Sequence, residues 1–205
     1  KAFLLNPPTG RYMRSDRCQA PIDTRIAEPA RPPMDLAYMA AVLEVMGLEC
    51  KIKDYPMEQE DWDAVSADIS CFMPDLLIVN TTTPTIENDL FICDLAKKIN
   101  PGIKIIAKGA YFFVYDKEIM NKFKNLDILI RGEPELTIKE LSGNNDYSGI
   151  SGITFRRNNE IIRNTDRPFM QNIDELPFPA RHLLNNRLYL TPDTREAISF
   201  ITVSR

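Results

Sequence analysis

The chain has 205 residues, 44% hydrophobic and 26% charged, with a formal net charge of −4. That is an ordinary globular composition, enough for one good core and a smaller second unit. The acidic balance argues against a nucleic-acid surface, no apolar run approaches the ~20 residues of a membrane helix, and Lys1 leads into a strand-like run with no signal peptide.

To about residue 143 the sequence alternates between two periods. "AFLLN" (2–6) is a short apolar strand. "PPMDLAYMAAVLEVMG" (32–47) repeats Leu36, Met39, Ala40, Leu43 and Met46 at helical spacing, with Pro33 suited to a first turn and Gly47 to a stop. "CKIKDY" (50–55) is a second strand and "EDWDAVSADISCF" (60–72) a helix with Trp62, Val65 and Ile69 on one face. "DLLIVNT" (75–81) is continuously apolar, as in a strand covered on both faces. A helix over 85–100 stops at Pro101-Gly102. Strand 104–109, helix 113–123, strand 126–132 and helix 133–142 complete the series. Strand–helix alternation with short connections predicts an α/β, flavodoxin-like domain: a five-stranded parallel sheet with helices on both faces.

Beyond Gly143 the period changes. "GITFRRNNEIIRN" (152–164) reads as a β-hairpin turning at Arg157-Asn158-Asn159. Residues 166–184 hold three prolines and read as an extended linker. "AISFITVSR" (197–205) reads as the opening of a buried strand, expected to pair with a sheet edge, lie on its surface or self-associate. The expected units are 1–143, 144–194 and 195–205. Lys1 is not Met, and the chain is read as a trimmed piece of a longer one.

In such folds the ligand lies beyond the carboxyl ends of the strands. The first of those loops, residues 6–33, is far longer than a strand–helix connection requires. Its Arg11, Arg14, Arg17, Arg25 and Arg31 could meet phosphate or carboxylate groups, or simply be solvated. "NTTTPT" (80–85) sets Thr81, Thr82, Thr83 and Thr85 at a helix start, where they suit a polar ligand or cap the helix. In "KGAYFF" (108–113), Gly109 and Ala110 permit close approach of a flat ligand, and Tyr111, Phe112 and Phe113 either wall it or fill the core. In "RGEPE" (131–135), Gly132 again permits close approach and Glu133 hydrogen-bonds or caps.

Several chemistries are excluded. No G-x-G-x-x-G or G-x-x-x-x-G-K-[ST] is present. Asn80 stands where a phospho-acceptor needs a carboxylate, and the lone histidine, His182, lies in the linker as a packing or hydrogen-bonding residue. Cys18, Cys50, Cys71 and Cys93 are each more than twenty residues apart, without metal-site spacing. Cys50, Cys71 and Cys93 read as buried free thiols of a cytoplasmic protein, and Cys18 as more open.

The ordered set "NPP", "PPMDLAYMAAVLEVMGLECKIKD", "PDLLIVNTTTPT", "IIAKGAYFF", "IRGEPE" and "IDELPFPARHLL" resembles the N-terminal cobalamin-binding domain of cobalamin-dependent radical S-adenosylmethionine enzymes, over essentially the whole chain. The resemblance implies a cobalamin on the carboxyl edge of the sheet. Thr81, Thr82, Thr83 and Thr85 would flank its nucleotide tail, Gly109, Ala110 and Tyr111 would line the other side, Gly132 and Glu133 would border the mouth, and Asn6, Pro7 and Pro8 would lie near the corrin face. The D-x-H-x-x-G of methionine-synthase-type domains is absent, which leaves the lower cobalt ligand open. The family's three-cysteine motif for a [4Fe-4S] cluster would follow "ISFITVSR", on the first strand of a C-terminal barrel. The fragment alone is therefore not expected to be catalytic. The longer enzyme would use the cluster, S-adenosylmethionine and cobalamin for methyl transfer or cyclase-like remodelling of an unreactive carbon. A non-catalytic binding module of the same fold is the alternative. A flavin-binding relative is disfavoured, since "PPTG" is only a fragment of a phosphate loop.

Overall fold

A computed structural model describes residues 1–14, 19–22, 31–144, 146–191 and 193–201. The strands are β1 (Ala2–Asn6), β2 (Cys50–Asp54), β3 (Leu76–Asn80), β4 (Lys104–Lys108), β5 (Ile128–Ile130), β6 (Ile153–Arg157) and β7 (Glu160–Arg163). They form one sheet of order β2-β1-β3-β4-β5-β6-β7. The first five are parallel in the 2-1-3-4-5 order of flavodoxin-like folds. The helices are α1 (Met34–Val45), α2 (Tyr55–Glu58), α3 (Trp62–Phe72), α4 (Ile86–Asp89), α5 (Ile92–Ile99), α6 (Phe112–Lys122) and α7 (Pro134–Gly143).

Period-two alternation divides the sheet between two cores. Leu4, Ile52, Ile78, Ile106 and Ile128 meet α1 and α7 on one face. Phe3, Leu77, Val79, Ile105 and Leu129 meet α3, α5 and α6 on the other. The edge strand β2 carries Lys51 and Lys53, ion-paired with Asp68 and Glu60, a charged edge that discourages pairing with another chain.

Four elements differ from the sequence reading. The hairpin does not stand apart from the sheet: β6 pairs antiparallel with β5, Ile128 opposite Phe155. Asn158 and Asn159 take the positive φ values of its tight turn, 49° and 68°. The helix expected over 85–100 is divided into α4 and α5, the break following Asp89, whose carboxylate is held inward by Thr82 and Thr85. The one-turn α2 was not foreseen. Residues 195–201 form no strand; they make a single bridge, Leu190 to Ala197, and residues 202–205 lie outside the described part. Phe200 is held against the surface instead, its carbonyl accepting from Arg181 and its ring lying 5.4 Å from the Arg31 guanidinium.

The linker is compact rather than extended. It runs through 3-10 turns at Ile173–Glu175, Arg181–Leu183 and Asn186–Leu188. Ala180 and Leu184 are buried in the α1 core, and the Ala180 N–H donates to the Ala37 carbonyl at 2.9 Å. His182 forms a surface contact with Glu44 at 2.9 Å. Of the thiols, Cys93 is buried, Cys50 half-buried and, against expectation, Cys71 exposed on the outer side of α3; Cys18 lies outside the described residues. Burial pushes the Cys50 thiol up to about 12, so it is not a thiolate nucleophile. Among the described residues no helix is long and apolar enough to cross a membrane.

Candidate functional site

At the carboxyl ends of the strands the sheet changes character. The register places Asp54, Asn6, Asn80 and Lys108 side by side on β2, β1, β3 and β4. Each stands two residues beyond an apolar core residue, Ile52, Leu4, Ile78 or Ile106, so the four project to the same face. All four are buried. Buried polar groups need partners, and these have them. Asn80 Nδ2 donates to Asn6 Oδ1 at 3.0 Å, the Tyr189 hydroxyl donates to Asp54 Oδ2 at 2.8 Å, and Lys108 Nζ pairs with Asp35 Oδ2 at 2.6 Å. Burial pushes the Asp54 carboxyl above the usual range, although the Tyr189 hydroxyl, the neighbouring Asn6 amide and the nearby Arg14 charge oppose that shift.

A second cluster lies on the opposite face, where the loop after β1 meets the loop after β3. Asp89, fully buried, is its centre. Its Oδ2 accepts from the Thr82 N–H at 3.0 Å, the Thr85 hydroxyl at 2.7 Å and Arg14 Nη1 at 3.1 Å. Thr85 thus spends its proton on Asp89, so in the 2.7 Å Thr82–Thr85 contact the Thr82 hydroxyl is the donor. Thr9 donates to Asp89 and accepts from Arg14 at 2.8 Å. Arg14 also donates to the Asn80 carbonyl at 3.0 Å, which closes the crevice between β1 and β3.

The twelve residues expected from the resemblance gather at this edge, in different surroundings. Asn6 and Pro7 are buried and Pro8 half-buried. Thr81, Thr82 and Thr85 are buried with their hydroxyls committed, Thr81 to the Lys108 carbonyl at 3.0 Å. Thr83 is exposed, its N–H donating to Gln19 at 2.8 Å. Gly109 is buried, whereas Ala110, Tyr111, Gly132 and Glu133 are half-buried. A Cβ on Gly109 would lie 2.3 Å from Thr81 Oγ1, so the protein's own β3 loop already requires this glycine. Gly132 adopts φ 91°, where a side chain is strained. Glu133 accepts from the Met170 N–H at 2.7 Å and ties the linker to the edge. Of the three aromatics, Phe112 is core, Phe113 is 44% exposed, and Tyr111 stacks on Tyr115 at 4.6 Å.

The three described arginines of the first loop do not converge. Arg11 reaches the Pro56 carbonyl, Arg14 pairs with Asp89, and Arg31 lies over Phe200; Arg17 and Arg25 fall outside the described residues. Sequence reasoning missed Asp54, Lys108 and Asp89. The first two were detectable as charged residues closing otherwise apolar strands, "CKIKD" and "KIIAK". Asp89 gave no signal within its helical pattern. A cleft of about 430 Å³ between Trp62, Phe91 and Phe123 touches the expected set only through Pro8.

The open part of the edge is therefore the stretch after β4 and β5. It offers backbone groups at Ala110 and Gly132 and apolar surface at Tyr111 and Phe113. That mixture suits a large, nearly flat ligand whose rim carries hydrogen-bonding groups. It holds no nucleophile–base pair, and among the described residues no group of three or more His, Cys, Asp or Glu side chains is placed to hold a metal.

Fold and edge together define a flavodoxin-like ligand-binding domain. Residues 27–142, more than half of the chain, match the B12-binding domain family, and the chain belongs to that family. It is 28% identical over 188 residues to an uncharacterized methyltransferase of Pyrococcus horikoshii, covering 90% of this chain and 39% of that protein. It is 24% identical over 181 residues to an anaerobic magnesium-protoporphyrin IX monomethyl ester cyclase of Synechocystis, covering 85% of this chain and 34% of that protein. Among solved structures, the radical S-adenosylmethionine methyltransferase TsrM of Kitasatospora setae, with cobalamin and a [4Fe-4S] cluster bound, superposes with a TM-score of 0.59 at 19% identity, over 80% of this chain and 30% of that one. The cobalamin-dependent S-adenosylmethionine radical enzyme OxsB superposes with a TM-score of 0.61 at 15% identity, over 87% and 24%. At those identities the structural likeness establishes the fold. The chain spans well under half the length of each relative.

Proposed function

We propose that this chain is the cobalamin-binding portion of a longer radical S-adenosylmethionine enzyme, with cobalamin lying against the carboxyl edge of the sheet. The family match over residues 27–142 carries the reading, because it contains the loops after β4 and β5 that leave the edge open. Thr81–Thr85 would form one wall of the nucleotide-tail site, Gly109, Ala110 and Tyr111 the other, and Gly132 and Glu133 its mouth. Asn6, Pro7 and Pro8, outside the matched segment, would underlie the corrin. When bound, cobalamin supplies one-carbon transfer and radical chemistry. The chain's own residues bind it, orient it and exclude water. The Lys108–Asp35 ion pair is neutral in sum at the β4 end of the row.

The [4Fe-4S] cluster and S-adenosylmethionine would be held by a C-terminal barrel, and the reaction would be methyl transfer or cyclase-like remodelling of an unreactive carbon. The site of action would be the cytoplasm, with neither nucleic acid nor membrane as partner. The test is direct. The purified chain is mixed with hydroxocobalamin, desalted, and its visible spectrum recorded. Retention near one equivalent supports the reading; a colourless protein, both here and in the longer natural polypeptide, overturns it.

A further inference from the structure

The two polar clusters at the carboxyl edge are joined. Beginning in the linker, the buried Tyr189 hydroxyl donates to Asp54. Asn6, the register neighbour of Asp54, lies beside that carboxylate on the same face of the sheet and favours its charged form. Asn80 donates to Asn6, and the Asn80 carbonyl accepts from Arg14, which pairs with Asp89. Asp89 in turn holds the Thr82 N–H and the Thr85 hydroxyl. This rail of polar contacts crosses the ends of β2, β1 and β3, from residue 189 to the loop 82–85.

The rail has a fixed direction. Asn6 spends its amide oxygen on Asn80 Nδ2, which leaves its own amide N–H for the side of Asp54. Consecutive bonds of one polarity strengthen each other in a buried setting. Arg14 is shared: its charge acts on Asp54 while its guanidinium pairs with Asp89. Withdrawal of the Tyr189 hydroxyl leaves Asp54 a buried carboxylate short of a donor. Asn6 and Arg14 are the neighbours that can shift toward it, at the expense of Asn80 and Asp89.

The linker end reaches the sheet edge through the Tyr189 side chain. Around Tyr189 it has no ladder to the sheet. It is held by the Tyr189–Asp54 bond, by Arg181 to Ser199 and Phe200, and by the Ile198 N–H to the Tyr189 carbonyl at 2.9 Å. We infer that Tyr189 is a positioning residue for the ligand edge, and that linker docking and ligand binding at loop 82–85 are coupled through Asp54, Asn6, Asn80 and Arg14. The inference rests on the cobalamin reading above. Coupling of this kind is reciprocal: whatever the docked linker does for ligand affinity, the ligand does for linker docking.

The experiment measures both directions on the whole chain. Hydroxocobalamin affinity is determined for the wild type, Tyr189→Phe, Asp54→Leu and the double variant. Amide exchange at Ile198 is followed with and without hydroxocobalamin. Tyr189→Phe is expected to weaken binding by about five-fold or more, and the ligand to slow exchange at Ile198 by a comparable factor in the wild type but not in the variant. The double variant should bind no more weakly than the weaker single one, as for two parts of one connection. Arg163→Gln, which loosens the hairpin away from the rail, is the stability control and should leave affinity unchanged. Unaltered affinity in Tyr189→Phe, exchange at Ile198 insensitive to ligand, or equal weakening by Arg163→Gln overturns the coupling while leaving the cobalamin reading intact. A wild-type chain that binds no cobalamin overturns the underlying reading, and the coupling with it.

Discussion

Asp54 sits fully inside the protein, and burial makes its folded state hold a proton more tightly than the unfolded chain does. The sign follows. For a carboxyl whose pKa is raised on folding, stability is highest below the unfolded value of about 3.9 and falls as pH rises toward the folded value, above which the penalty is constant. Asp54→Asn should therefore raise the thermal midpoint at pH 7 by about 2–4 °C, with the gain closing near pH 4. The amide oxygen can still accept from the Tyr189 hydroxyl. Circular-dichroism melts at pH 4, 5.5 and 7 check this; a gain independent of pH would assign the effect elsewhere. Gly109 is the second residue-level case. A methyl group there meets Thr81 Oγ1 at 2.3 Å, so Gly109→Ala should cost about 1–3 kcal/mol in urea unfolding. Thr81→Ala, which removes the colliding oxygen, should recover much of that loss in the double variant. The sequence showed that a glycine belonged at 109; it did not show that the crowding atom is the protein's own.

Among the elements, α1 was legible in its existence and bounds but not in its burial. The periodicity marked one apolar face, yet Leu36 to Leu43 are buried without interruption. A helix apolar all round must be covered all round; α7 and the linker residues Ala180 and Leu184 provide the second cover. The hairpin likewise showed in its turn and alternation, whereas its docking on β5 depended on residues far apart in sequence. Arg131, fully buried, bonds the Ile153 and Asn164 carbonyls and Asp166, while Asp116 takes Thr154 and Arg163. Arg131→Ala should remove about 3 kcal/mol by leaving these groups short of a donor. Amide exchange should then accelerate in 153–163 well before 76–80; uniform acceleration would deny the hairpin a separate latch.

For the molecule as a whole, the linker behaves as part of the domain. Chains ending at Gly143 or Thr165 would uncover the outer side of α1, with Tyr38, Ala41 and Val42 turned to water. Such truncations should aggregate or bind a hydrophobic dye, unlike the 205-residue chain, by light scattering and dye fluorescence. Sequence alone determined the order and type of most elements and the parallel flavodoxin-like sheet. Those properties follow from local periodicity, turn chemistry and the short connections that parallel crossovers require. Only the tertiary structure decided that the hairpin extends the sheet, that 195–201 is not a strand, and that Tyr189 reaches Asp54 while Arg14 reaches Asp89. These are pairings across 135 and 75 residues. No local pattern encodes such a partner, because each buried charge or hydroxyl takes whichever complementary group the packed layers bring to it.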